Sequence, residues 1–377
     1  MNNLISWFNK LISARNEREA DKPLLYISAA IVVFGLVMLS SASSIIAYNT
    51  YGDSYYFFKH QIFGLGLGLA AAWIFSKIDY HLWRKYALGL LIVSVILLLL
   101  VFIPGLSAKW GNSRSWINIF GFSLQPSEFV KITFLLYLAA WLEGRKKKLE
   151  EISGGLGPFI AVLGLIALLM LLQPDLGTLI IIGITSLIVY YVGGGRTRHI
   201  LLIVIAGLIA VSVLVQLKPY QADRFRCWLD PSYSTQDACY QINQSLIAVG
   251  SGGFWGRGLG ASRQKFFYLP EAQNDAIFSI ISEETGLIFS SILILLFVAL
   301  FYRGFLIAKS APDDFGKILA LGIVSWIAIQ AIINIGGMVN AMPMTGVPLP
   351  LVSYGGSAML AALASLGILA NISKQGR

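Results

Sequence analysis

The sequence predicts an all-α integral membrane protein of about ten transmembrane helices, with a large extracytoplasmic loop between the seventh and eighth. Three observations carry that prediction. Hydrophobic residues make up 56% of the 377 and charged residues 12%, whereas a soluble domain keeps roughly 25% charged. Apolar runs near the ~20 residues needed to cross a hydrocarbon core recur along the chain. Lys and Arg gather at alternate ends of those runs, the bias that sets orientation in a membrane.

The opening MNNLISWFNKLISARNEREADK, residues 1–22, is amphipathic and charged, with no small-residue cleavage site after a short apolar core. It reads as a cytoplasmic tail lying on the membrane surface rather than as a signal peptide. A single polytopic membrane domain is expected over 23–373, with spans at 24–47, 61–78, 83–103, 127–142, 156–172, 177–192, 199–217, 275–302, 317–340 and 354–372. A short cytoplasmic tail, 374–377, closes the chain. One set of loop ends holds Lys10, Arg15, Arg18 and Lys22, then Lys77, Arg84 and Lys85, then Arg145 and Lys146 to Lys148. The same side continues with Arg196, Arg198, Arg303, Lys309, Lys317, Lys374 and Arg377. Both termini are therefore expected in the cytoplasm. The net charge of +9 is then a topology signal, and nucleic acid is not needed to explain it.

The opposite side carries the polar loops, the longest being 218–274. Its two cysteines, Cys227 and Cys239, are the only ones in the chain; a disulfide and two free thiols are both open readings. No H-E-x-x-H, P-loop or G-x-S-x-G occurs, and His60, His81 and His199 stand alone near membrane edges. A zinc protease or an ATP-driven pump is disfavoured.

Carboxylates remain. Asp275 follows YLPEAQN and precedes the apolar AIFSII. A helix cap is the bland reading; the functional one is a general base at the outer mouth of a cavity. Glu271, one turn earlier, could raise the pKa of Asp275 or share a divalent cation such as Mg or Mn with it. Glu283 and Glu284 need protein partners inside a span. In QPSEFVK, Glu128 and Lys131 are spaced for an ion pair that is structural or lines a cavity. In QPDLGT, Gln173 and Asp175 stand between two spans, with Asp175 either capping a helix or walling a pocket. Arg224, Arg257, Arg263 and Lys265, among loop glycines, are candidates for holding a phosphate or diphosphate. Contact with lipid headgroups is the competing reading.

The segments RSWINIFGFSLQPSEFVK, QPDLGT, GSGGFWGRGLGASRQKFFYLPEAQNDAIFSIISEETG and MPMTGVPLPLVSYGGSAML resemble, in order and over most of the chain, the signatures of the SEDS family, which includes FtsW and RodA. SRQKFFYLPEA is closer to FtsW. The resemblance implies a ten-helix peptidoglycan glycosyltransferase. It would polymerise lipid II on the outer face of the bacterial cytoplasmic membrane, beside a class B penicillin-binding protein and other divisome or elongasome proteins. It places the family's aspartate at Asp275 and brings Arg114 and Ser353 in as substrate-binding candidates. Gln273 and Asn274 replace the usual His-Thr, and Arg114-Ser115-Trp116 lacks the arginine normally next to the tryptophan. The expected chemistry has Asp275 deprotonating an acceptor sugar hydroxyl, which displaces the diphosphate of a second lipid II with inversion. A lipid II flippase and a non-catalytic scaffold are the rival readings.

Overall fold

The computed structural model describes residues 19–104, 107–110, 113–119, 122–145 and 148–376. Among the described residues, seven long α-helices run in order before the long loop: α1 (Lys22–Tyr51), α2 (Tyr56–Lys77), α3 (Tyr80–Leu100), α4 (Pro126–Leu142), α5 (Gly157–Leu172), α6 (Leu176–Val192) and α7 (Thr197–Leu217). Two short helices, α8 (Pro219–Leu229) and α9 (Tyr240–Gly252), lie within the loop. Three long ones follow: α10 (Ile277–Ser310), α11 (Asp314–Met338) and α12 (Gly356–Gln375). The ten expected spans thus each match one long helix. Seven helical stretches are long and apolar enough to cross a membrane on length and composition alone.

Their ends follow from residue chemistry. Asp21, Asp79, Asp175 and Asp313 each accept a backbone N–H in the first turn of α1, α3, α6 and α11, satisfying donors that a helix start leaves open. Proline sits in the first turn of α1, α4, α5 and α8, where its missing N–H costs nothing. Between α3 and α4 the chain forms a small antiparallel sheet of β1 (Ser107–Trp110), β2 (Ser113–Ile119) and β3 (Phe122–Leu124). The expectation of helices alone did not include it. Ile117 pairs with both Ser107 and Leu124, and it is buried, as is Ser115 on the same strand.

The helices are unequally enclosed. α11 and α12 are largely interior, while α7 buries only His199. α12 packs closely on α2: a Cβ added at Gly367 would come within 2.4 Å of the Ala72 carbonyl oxygen, the small-residue contact that lets membrane helices approach. α10 is two helical pieces, because Gly286 adopts φ 72°, ψ −174°. A side chain there would meet the backbone of 254–256 at under 3 Å.

Candidate functional site

At the end of the bundle that bears the long loop, residues 268–276 lead into α10. The expected span at 275–302 begins two residues early: α10 starts at Ile277, and its cap position, Ala276, makes no side-chain cap bond. Asp275 therefore differs from the four capping aspartates. Its carboxylate is directed elsewhere.

The turn that presents it is clamped through its backbone. Asn334 of α11 donates to the carbonyls of Asp275 (2.7 Å) and Val347 (2.8 Å). Ser353 donates to the Asn274 carbonyl at 2.6 Å and accepts from the Leu349 amide at 2.8 Å. The Tyr354 amide donates to the Gln273 carbonyl. Gln61 on α2 completes the lattice, donating to the Ser353 carbonyl and accepting from the Gly355 amide. Inside a bundle without water, such groups must satisfy one another. Ser353, expected at the substrate, is instead occupied in holding the Asp275 turn.

The Asp275 side chain is only 9% exposed. Gln241, at the start of α9, brings Nε2 to 3.5 Å from both carboxylate oxygens. A Cβ built at Gly346 would lie 3.3 Å from Nη2 of Arg224 and 3.6 Å from Oδ2 of Asp275. The guanidinium and the carboxylate thus face each other across a residue with no side chain, held at φ 74°. Burial, then the charge of Glu271, pushes the Asp275 carboxyl up to about 7, against the pull of Arg224 and Gln241. Glu271 itself is exposed and accepts from Asn274 Nδ2 at 3.0 Å. Arg224 also lies over the Tyr220 ring (4.7 Å) and donates to its hydroxyl.

Arg224 and Gln241 share a second surface. With Tyr220, Asp223, Trp228 and Asn340 they line a cavity of about 190 Å³. Ligand pockets run from roughly 300 to 1,000 Å³, so this one takes part of a large ligand rather than the whole.

The remaining candidates separate from Asp275. Lys265 is buried and bonded to Glu284 (2.9 Å), Ser41 and the Gly260 carbonyl; its charge is used within the protein and is not open to a diphosphate. Arg257 lies 3.7 Å from Glu283 and donates to the Ser251 carbonyl. Arg263 gives its backbone amide to Glu283 and leaves its side chain exposed. Arg114 lies on β2, with its side chain outside the described residues. Asp175 resolves as a helix cap that also accepts from Ser127. Gln173 donates to the Leu98 carbonyl, and its own carbonyl accepts from Ser115. Glu128 and Lys131 pair at 2.8 Å, both almost fully buried, and Lys131 also reaches Gln330. Gln330 in turn donates to the Pro348 carbonyl. That chain of bonds ties α4 and α11 to the 343–353 loop. Among the described residues no third His, Cys, Asp or Glu joins a carboxylate pair to form a metal-holding group. Cys227 and Cys239 are joined as a disulfide.

Gln241, Asn334, Gln61 and Gly346 escaped sequence reasoning. Asn334 and Gln61 had a usable signal, an amide side chain in an apolar helix. Gln241 and Gly346 had none, since only the fold brings them to Asp275.

A family model described as cell cycle protein, FtsW/RodA/SpoVE, matches residues 22–377. Stage V sporulation protein E of Bacillus subtilis is 40% identical over 357 residues, covering 95% of this chain and 98% of its own length. The probable peptidoglycan glycosyltransferase FtsW of Trichlorobacter lovleyi is 40% identical, covering 94% and 93%. Among solved structures, a chain of a peptidoglycan synthase complex superposes with a TM-score of 0.77 at 28% identity, covering 94% and 97%. Thermus thermophilus RodA gives 0.70 at 28% identity, covering 94% and 96%.

Proposed function

This chain belongs to the FtsW/RodA/SpoVE family, and on that premise we propose that it polymerises lipid II beside Asp275, on the outer face of the bacterial cytoplasmic membrane. It is a multi-pass membrane protein and a peptidoglycan glycosyltransferase. The orientation rests on charge: the ends opposite the 218–274 loop collect the Lys and Arg residues, which places them and both termini in the cytoplasm.

The observation that carries the assignment of the acid is its environment. A general base works best when its pKa lies near the operating pH, and burial brings Asp275 to about 7. In the proposed step the ionised carboxylate accepts the proton of an acceptor sugar hydroxyl. The oxygen attacks the anomeric carbon of a second lipid II, the bond to the diphosphate breaks, and the centre inverts. Arg224, on the wall between carboxylate and cavity, offsets the charge that develops on the departing diphosphate. Gln241 steadies the carboxylate without neutralising it. A class B penicillin-binding protein is the proposed partner, supported by the likeness to a chain of a synthase complex.

Purified protein and labelled lipid II in detergent, resolved on a gel, test this reading. Wild type is expected to give glycan polymer with no second compartment present, which a flippase would not. Near-normal polymer from Asp275→Asn would overturn the assignment of the base.

A further inference from the structure

The two residues that reach the Asp275 carboxylate come from two different short helices, and one covalent bond joins those helices. Arg224 lies on α8, three residues before Cys227 and so on the same face. Gln241 is the second residue of α9, two residues after Cys239. The disulfide holds the two Cα atoms 5.3 Å apart, and both cysteines are buried. With Ile242, Leu246 and Met344 they form a small apolar cluster, which Met344 joins to the main core of the bundle. Cys227 itself contributes to the cavity wall shared by Arg224 and Gln241.

Other attachments of α8 are few. Its N-terminal end continues from α7, the helix that buries only one residue. Asn340 donates to the Trp228 carbonyl at 3.2 Å and Asn243 to the Pro231 carbonyl at 2.8 Å. Tyr220, which orients the Arg224 guanidinium, rides on the same helix and gives no anchorage to the rest of the molecule.

Ser245 anchors α9 to Ser279 of α10 and to the Met338 carbonyl of α11, so we propose that the Cys227–Cys239 disulfide is a positioning cross-link for the reaction centre: it ties Arg224, on the lightly attached α8, to Gln241 on the anchored α9 and so holds the guanidinium against Asp275, and full polymerase activity requires an oxidised loop. The cysteines touch no reacting atom and act through the two residues they hold. The inference rests on the polymerase reading given above. Opening the cross-link needs a dithiol reductant. One thiolate attacks a cysteine sulfur and the S–S bond breaks. The second thiol then closes the reductant into a cyclic disulfide and releases the other cysteine. The protein gains two thiols and the reductant loses two electrons.

The experiment uses the full-length protein in detergent with labelled lipid II, before and after dithiothreitol. Misplacement by about an ångström can cost roughly 10²-fold, so reduction is expected to lower kcat at least about tenfold with KM changed less than about threefold. Reoxidation should restore it. The Cys227→Ser/Cys239→Ser double variant should match the reduced protein and ignore dithiothreitol. A cycle with Arg224→Ala separates positioning from general stability. That substitution should slow the oxidised enzyme about tenfold but change the double variant less than about twofold, since the guanidinium is already out of place there. If reduction leaves kcat within twofold, or Arg224→Ala costs the same in both backgrounds, the cross-link is merely structural and the inference is overturned with the polymerase reading intact. If the oxidised wild type makes no polymer, both fall together.

Discussion

Glu283 and Glu284 are met by donors on every side, whereas Asp275, eight residues earlier on the same stretch of chain, is met by almost none. Glu283 accepts from the Ser262 hydroxyl and from the amides of Arg263 and Gln264. Glu284 accepts from Ser41, the Ser262 amide and Lys265. Their oxygens are committed to pinning the 256–265 loop. Asp275 has the Gln241 amide nitrogen, at 3.5 Å, its own backbone N–H, and a guanidinium across Gly346. A carboxylate with its lone pairs filled has none left for a substrate hydroxyl. The contrast teaches that a buried acid is chemically useful where the fold leaves it short of partners, and structural where the fold supplies them.

The largest effect expected from breaking this contrast is on rate. Asp275→Asn should cut lipid II polymerisation by about 10²–10⁴-fold while the purified protein melts no lower than wild type. Next is stability. Glu284→Gln leaves Lys265 buried without its charge partner, which typically costs about 3–5 kcal/mol. Yield and melting temperature should fall sharply, while the rate per folded molecule should stay close to that of wild type. Third is pH. Because the Asp275 carboxyl stands at about 7, kcat/KM should fall about tenfold per unit as pH drops below that value, and level off above it. The folded state holds the proton that the unfolded chain has already released, so this group lowers stability as pH rises from the ordinary carboxylate range to about 7. Thermal melts across that range should be flatter for Asp275→Asn. Smallest is Ser353→Ala, which removes one clamp on the turn. It should cost about 1 kcal/mol in stability and leave lipid II affinity, read as KM, unchanged.

Much of this was legible in the sequence, for identifiable reasons. Hydropathy and charge bias are local quantities, and the helices follow them: α1 to α7 and α10 to α12 fall on the expected apolar runs. Asp275 was legible as an acid at a helix entrance. That it is no cap was not, because Asp21, Asp79, Asp175 and Asp313 stand in similar contexts and do cap. Lys265 and Arg224 looked equivalent as loop cations. Only the fold distinguishes them, setting one against Glu284 and the other across Gly346 from Asp275, some fifty residues from it in the chain. The sheet at 107–124 was hidden between spans, its strands only three to seven residues long.

The break at Gly286 has a mechanical consequence. Around it, loop and helix exchange backbone bonds: the amides of Arg257 and Gly258 donate to the carbonyls of Glu283 and Glu284, and those of Leu287 and Ile288 to the carbonyls of Gly253 and Phe254. Peeling that loop away from water would strand several donors at several kcal/mol each. Residues 252–258 therefore travel with α10 as the stationary jaw of a vice. α9 ends in that jaw and is bonded to α10 and α11 through Ser245, so the hand that can turn the screw is α8, and a molecule designed to jam the cleft should be shaped to the rigid jaw and made to push on α8.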